Sequence, residues 1–292
     1  MDLRDFGNTG LKISTLGFGA GEIGDLSVTD KQVETLLNTA LDYGINLIDT
    51  ARGYFASEER IGKFISQRRS EFILSTKVGY GVEGVEDWSY ESVAIGIDEA
   101  LTKMNTDYID IVHLHSCNVP QLQKGDATDA LLKAIEDGKI RFAAYAGDNE
   151  SLSYAIGLGK FRSVITSLNV FDQRVINNQL ARAKDSAMGV IAKRPIGNAP
   201  WRFKEQPTGH YCEPYWERMK AMNLDFGDGW QDVALRFAAY TWGVDCCIVG
   251  TTNVEHLKAN VDIVNKGKLD EDVIAKIRQA FCKNDDNWIA QV

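Results

Sequence analysis

Asn46-Leu-Ile-Asp-Thr-Ala-Arg-Gly-Tyr54 decides how this chain is read: a short apolar run closes on an acid, and a loop opened by Gly53 then delivers a phenol. Two later stretches repeat the plan. Phe72-Ile-Leu-Ser-Thr-Lys77 and Tyr108-Ile-Asp-Ile-Val-His-Leu-His115 are again mainly apolar and end on an amine and an imidazole. Continuous apolar runs of this length fit strands buried on both faces of a parallel α/β sheet, which places its site at the carboxyl ends of its strands. Asp49, Tyr54, Lys77 and His115 are therefore expected to converge. One acid, one phenol, one amine and one imidazole can make a proton donor for a carbonyl. A tyrosine with a reference pKa of about 10 is a better acid beside Lys⁺, and a buried Lys⁺ needs a carboxylate partner.

Outward from these three runs, strand-like and helix-like segments alternate. Strands are expected at 13–18, 46–49, 72–78, 109–115, 142–146, 163–169, 189–193 and 246–249. Helices are expected at 30–43, 58–67, 89–104, 127–137, 150–158, 177–187, 228–241 and 254–264. The first of these carries Val33, Leu36, Leu37, Ala40 and Leu41 on a 3.6-residue stripe. Eight strand-then-helix units with a leftover helix at 270–282 predict an α/β fold, a closed (β/α)8 TIM barrel with an extra C-terminal helix. Only five prolines and no low-complexity linker interrupt the 292 residues, so one domain spanning 1–292 is expected.

A doubly wound sheet is the competing reading. Gly19-Ala-Gly21-Glu-Ile-Gly24 is a literal Gly-x-Gly-x-x-Gly after the first strand, with Asp49 where a ribose-binding acid would stand. A dinucleotide fingerprint opens its helix within the motif, whereas here Asp25-Leu-Ser-Val-Thr-Asp30 intervenes and the helix caps near Thr29. The pattern also recurs at Gly79-Tyr-Gly81-Val-Glu-Gly84, which shows how readily this chain produces it.

Composition narrows the partners. A net charge of −9 with four histidines argues against nucleic-acid or anionic-membrane binding and favours a small-molecule partner. The start of the sequence is acidic, without an apolar stretch that reads as a secretory signal or a membrane span, so a cytoplasmic protein is expected. Cys117, Cys212, Cys246, Cys247 and Cys282 show no Cys-x-x-Cys spacing for zinc or redox work. They read as reduced, mostly buried thiols, and no metal site is expected.

The run Thr251-Thr-Asn253 with Glu255, after Ile248-Val-Gly250, reads as a loop capping a helix N-terminus, a natural cradle for phosphate. Lys193 and Arg194 end the seventh strand. His113 shares strand parity with His115 and is expected to be a hydrogen-bonded core residue. Long loops at 79–89, 116–125 and 195–228 carry Trp88, Trp201, Tyr211, Tyr215 and Trp216, a candidate aromatic wall in which Trp88 is the first choice for substrate contact.

Asp49-Thr-Ala-x-x-Tyr54, Ser75-Thr-Lys77 and Asp110-Ile-x-x-Leu-His115 resemble the catalytic tetrad of the aldo-keto reductases. The likeness runs the length of the chain, through Gly10-Leu-x-x-Ser-x-Leu-Gly-Phe-Gly19, Ser57-Glu-Glu-x-Ile-Gly62 and Gly250-x-x-x-x-x-His-Leu-x-x-Asn260. The resemblance implies a (β/α)8 barrel and an NADP(H)-dependent oxidoreductase, with NAD(H) as the alternative cofactor. It would reduce an aldehyde, ketone or sugar carbonyl, or oxidise the corresponding alcohol or aldose. Tyr54 would be the general acid, Lys77 and Asp49 would tune it, and His115 would orient the carbonyl. Substrate would lie against Tyr54, Trp88 and His115. The cofactor would meet Gly19, Ala20, Asp49, Asp148, Ser167, Lys193, Arg194, Gly250, Thr252, His256 and Asn260.

Some positions depart from the family pattern. The usual Ser or Gly-x-Ser-Asn ending strand five reads Tyr145-Ala-Gly-Asp148, the familiar glutamine of strand six is Ser167, and the aromatic that stacks on nicotinamide is Lys193 or Arg194. The basic residue that meets a 2′-phosphate is Thr252. These changes leave two rivals. One is a cofactor-binding regulatory protein on the same barrel, as in potassium-channel β-subunits; the other is an NAD-dependent sugar dehydrogenase.

Overall fold

A computed structural model describes residues 1–291. Among the described residues, ten strands and twelve α-helices follow one another. The strands are β1 (Leu3–Asp5), β2 (Lys12–Ser14), β3 (Leu16–Gly19), β4 (Leu47–Asp49), β5 (Ile73–Val78), β6 (Ile109–His115), β7 (Ile140–Ala146), β8 (Ser163–Ser167), β9 (Gly189–Lys193) and β10 (Cys246–Val249). The helices are α1 (Asp30–Asp42), α2 (Ser57–Ile65), α3 (Tyr90–Lys103), α4 (Val119–Lys124), α5 (Asp126–Glu136), α6 (Asn149–Leu158), α7 (Arg174–Asn177), α8 (Gln179–Asp185), α9 (Glu213–Met222), α10 (Trp230–Tyr240), α11 (Val254–Asn265) and α12 (Glu271–Asn284). Strands β3 to β10 are parallel and close into an eight-stranded barrel, with β10 pairing back onto β3. The doubly wound alternative is thereby excluded.

Strand parity sorts each strand into two faces. Residues such as Ile48, Leu74, Val112, Val164 and Ala192 point outward into the cluster shared with the helices. Leu47, Ile73, Ile111, Ala144, Ile165 and Ile191 point inward and form an apolar barrel floor together with Phe6 and Ile13. Two and four residues further along the same faces come Asp49, Ser75, Lys77, His113, His115, Ser167 and Lys193. The register brings them level: Asp49 pairs with Ser75, Lys77 with His113, and Ser167 with Lys193. The barrel interior therefore runs from an apolar floor to a charged ceiling, and that ceiling is the site.

Several boundaries differ from those read in the sequence. The first predicted strand is two strands. Residues 12–14 pair antiparallel with Leu3–Asp5 in a hairpin that carries fully buried Phe6 toward the barrel floor, and only Leu16–Gly19 joins the barrel. The helix expected at 177–187 is broken at Asn178, whose φ of −130° and ψ of −66° are not helical. The loops at 116–125 and 195–228 hold α4 and α9, each with proline in its first turn. Six-residue α4 is too short to show an apolar stripe, and the stripe of α9, Tyr215, Met219 and Met222, is interrupted by the buried Arg218. Thr29 does cap α1, in a capping box with Gln32, and the stripe from Val33 to Leu41 is buried. Four of the five cysteines are buried, Cys282 is exposed, and all are unpaired. Among the described residues no helix is long and apolar enough to cross a membrane.

Candidate active site

Asp49 ends β4 and Lys77 lies one residue from the end of β5, so adjacent strands deliver a carboxylate and an ammonium to the same level. Their atoms meet at 2.6 Å, with the side chains 1% and 3% exposed. A buried pair survives only when its remaining valences are satisfied. Here they are: Ser75 Oγ donates to Asp49 Oδ1 at 2.7 Å, and Lys77 Nζ donates to the Thr50 carbonyl at 2.8 Å. The third Lys77 bond, 3.4 Å long, goes to the Tyr54 hydroxyl. Burial alone would pull the Lys77 pKa down, but the Asp49 carboxylate and the Tyr54 oxygen outweigh it and hold the amine above its ordinary value.

The loop that carries Tyr54 is seated on glycine. A Cβ at Gly24 would stand 1.9 Å from the Tyr54 carbonyl oxygen, and one at Gly21 would touch the Tyr54 ring at 3.7 Å. The Gly19-x-Gly21-x-x-Gly24 run thus serves close approach of the phenol loop. It opens no long helix; its last three residues, Glu22–Gly24, form a short 3-10 turn.

His115, the last residue of β6, meets the Tyr54 ring edge-on with centroids 6.1 Å apart. Its Nδ1 lies 3.0 Å from the Tyr80 hydroxyl. Burial, then the charges of Lys77, Lys193 and Arg194, push its pKa down to about 3, so the ring is neutral at physiological pH. His113 is fully buried and, contrary to the sequence expectation, neither ring nitrogen has a hydrogen-bond partner; burial holds it neutral as well. Trp88 is half-buried at a φ of +55° and donates its Nε1 to the His115 carbonyl at 3.0 Å. Its ring packs against Tyr80, with centroids 5.7 Å apart. The predicted tetrad is therefore brought together, with Trp88 at its edge.

The residues singled out for a cofactor fall into separate groups. Asp148, Ser167, Lys193 and Arg194 form one. Lys193 pairs with buried Asp148 at 2.8 Å, and Asp148 also accepts from Thr166 Oγ1 at 2.8 Å and the Ser167 amide at 2.7 Å. Burial opposes that carboxylate, yet Lys193 and these bonds hold it below the usual range. Arg194 donates to Ser167 Oγ at 2.7 Å and to the Gln291 carbonyl at 2.5 Å, and it also reaches the Tyr211 hydroxyl. Asn169, close by, binds the Arg194 carbonyl through its side-chain amide at 3.1 Å.

Gly19 and Gly250 form a second group. A Cβ on Gly250 would stand 2.9 Å from the Gly19 carbonyl, so a side chain there would force apart the ends of β3 and β10. Ala20 is buried and ties the phenol loop, accepting from Ser57 Oγ at 2.7 Å. Thr252 lines a cleft of about 500 Å³ between the starts of α1 and α11, opposite Lys31, which sequence reasoning did not single out. His256 is exposed, Asn260 is buried and accepts from Gln231 at 2.7 Å, and Lys258 is engaged by Glu255 at 2.9 Å. A cavity of about 690 Å³ lined by Trp201, Phe203, Lys204 and Trp230 touches no tetrad residue; the convergence of titratable groups, not cavity size, locates the chemistry.

These residues fit a nicotinamide dinucleotide. Two cations at one strand end face a single carboxylate, leaving net positive charge suited to phosphate, and the buried Asn198 side-chain nitrogen in the following loop has no partner.

The sequence model described as Aldo/keto reductase family matches residues 15–281. L-galactose dehydrogenase of Arabidopsis thaliana is 28% identical over 91% of this chain and 89% of its own length. An uncharacterized oxidoreductase of Bacillus subtilis, YqkF, is 27% identical over 98% of both. Among solved structures, the holo form of an aldo-keto reductase from Bacillus halodurans superimposes with a TM-score of 0.81 at 23% identity, covering 96% of each chain, and supports the fold.

Proposed function

The chain belongs to the aldo/keto reductase family, and from that premise we propose that it moves hydride between NADP(H) and a small aldehyde, ketone or sugar, with Tyr54 as the proton donor. The nicotinamide supplies the hydride; the protein handles the proton and the charge. Reduction builds negative charge on the carbonyl oxygen, and a phenol within hydrogen-bond reach transfers its proton as that charge forms. Lys77 stands 3.4 Å from the phenol oxygen and stabilises the phenolate left behind. Asp49 keeps Lys77 charged inside the barrel, and neutral His115 donates to the same carbonyl oxygen and orients it. Lys193 and Arg194, with Gly250 and Thr252, would take the phosphates, and Asp148 and Ser167 the carboxamide side.

The observation that carries this reading is the chain Asp49, Lys77, Tyr54, a buried ion pair that ends on a half-buried phenol. A structural ion pair needs no hydroxyl at its open end. The named sugar dehydrogenase among the relatives puts aldoses first among candidate substrates and favours a second reading, aldose oxidation by the same residues run in reverse, with NAD(H) as the alternative cofactor. A panel of aldehydes, ketones and aldoses, assayed in both directions with both nicotinamide cofactors, tests both. Turnover on at least one carbonyl or sugar is expected. Tight cofactor binding without turnover on any would overturn it and leave a cofactor-binding regulatory protein.

A further inference from the structure

The second glycine-rich run, Gly79-Tyr-Gly81-Val-Glu-Gly84, has no part in the proposed chemistry above, yet it begins two residues beyond Lys77. Gly79 adopts a φ of +132° and Gly81 a φ of +76°, and a Cβ on Gly79 would stand 2.9 Å from the Trp88 ring. Such a turn is open to glycine and strained for any other residue. Its effect is to swing Tyr80 off the strand end and lay it against His115.

The contacts between the two rings are specific. Their centroids are 5.1 Å apart at 34°, and the Tyr80 hydroxyl reaches Nδ1 at 3.0 Å. Trp88 closes the other side of Tyr80 and holds the His115 carbonyl, so one loop fixes both the ring and the backbone of the histidine. A neutral imidazole carries one proton, and the bond made by one nitrogen decides which nitrogen bears it. The Tyr80 hydroxyl has no other hydrogen-bond acceptor among the described residues. The arrangement that uses its proton is donation to Nδ1, which leaves the imidazole proton on Nε2.

We propose that Tyr80 is a positioning residue whose hydroxyl, by donating to His115 Nδ1, fixes the Nε2–H tautomer and the ring plane so that His115 can donate to a substrate carbonyl oxygen beside Tyr54. The role rests on the carbonyl reading above. The neighbouring loop is shaped to the same contact: a Cβ on Gly53 would stand 3.0 Å from the Tyr80 hydroxyl oxygen and press on it.

Tyr80→Phe keeps the ring that packs on Trp88 and His115 and removes the hydroxyl alone. Nitrogen NMR of the histidine side chains, assigned against His115→Gln, should show a single Nε2–H tautomer for His115 in the native protein and a loss of that preference in Tyr80→Phe. In parallel, kcat/KM for the carbonyl should fall about tenfold, the scale of one hydrogen bond, with cofactor affinity unchanged. Gly53→Ala, which crowds the hydroxyl without deleting it, should move the same NMR signal. An Nδ1–H tautomer in the native protein, or an unaltered tautomer in Tyr80→Phe whatever its rate, overturns the proposal and leaves Tyr80 as packing. If the native protein turns over no carbonyl, the functional reading fails, while the tautomer still decides whether Tyr80 sets the state of His115.

Discussion

Two corners of the same barrel mouth are built in opposite ways. At the Asp49–Lys77 corner the chemistry sits on strand ends or within five residues of one, and the charges are paired inside the barrel at 2.6 Å. At the Arg194 corner the polar groups come from far apart. Arg194 is bound by Ser167 from β8, by Tyr211 from the long loop after β9 and by Gln291 from beyond α12. Strands level their side chains through register, so a strand-borne site is rigid and compact in sequence. A loop-borne site takes its shape from tertiary contacts and is dispersed. The first corner therefore suits bond-making, which demands placement within a fraction of an ångström, and the second suits holding a long cofactor at many weak points.

If that contrast is right, a one-atom change at the rigid corner should cost far more than a whole side chain at the other. Tyr54→Phe removes a hydroxyl and little packing. Turnover should fall by about 10²–10⁴-fold, the usual contribution of general acid catalysis, while cofactor affinity measured by fluorescence titration stays close to native. A variant that retained a tenth of the native rate, with chemistry shown to be limiting, would mean that another group donates the proton.

The same contrast explains what was legible in the sequence. Asp49, Lys77 and His115 could be placed because strand periodicity and the ends of apolar runs fix both the face and the height of a side chain. The hairpin that plugs the barrel was folded into the first strand because Ile13 continues the apolar run, and nothing local marks where pairing changes partner. Helix α4 is too short to show a stripe, and in α9 the charged Arg218 sits on the same face as Tyr215, Met219 and Met222, so neither stands out from its loop in the sequence. Tyr80 escaped notice for a different reason. Its role depends on the positive φ of Gly79 and Gly81, and a glycine-rich run says only that the backbone is free to turn, not where it turns. Lys31 was missed because the cleft it lines joins two helix starts more than two hundred residues apart.

Gly24 offers an intermediate test, since it supports the rigid corner without taking part in it. Its backbone is compatible with alanine, but the added methyl would meet the Tyr54 carbonyl at 1.9 Å, and a backbone atom cannot swing aside. Gly24→Ala should lose about 1–3 kcal/mol of stability through overpacking, read as a lower Tm. It should also lose about 10²-fold in kcat/KM, because a shift near 1 Å in a reacting group costs that much. A native Tm and native kcat/KM would show that the phenol loop does not depend on this close approach.

The smallest effect belongs to a place as dispersed in sequence as the Arg194 corner, the cleft between the starts of α1 and α11. The proposed 2′-phosphate position has no arginine after Gly250, and Thr252 faces the cleft that Lys31 and Thr29 share. A helix N-terminus contributes about 0.3–1 kcal/mol to an exposed anion and an exposed ion pair about 0.2–1 kcal/mol. Together these amount to about 0.5–2 kcal/mol, so with about 1.4 kcal/mol per tenfold NADPH should bind more tightly than NADH by a factor of about 2–30. Lys31→Met should reduce that preference by about 1.4–5-fold and leave NADH affinity alone, and raising the salt concentration should compress the preference in the native protein, because exposed charges are screened. Titration of tryptophan fluorescence with each cofactor reads all three quantities. A native preference for NADH would mean that this cleft disfavours a 2′-phosphate, whereas one for NADPH above about a thousandfold, a gap of about 4 kcal/mol that these exposed groups cannot supply, would mean that a strong phosphate ligand lies elsewhere in the loops.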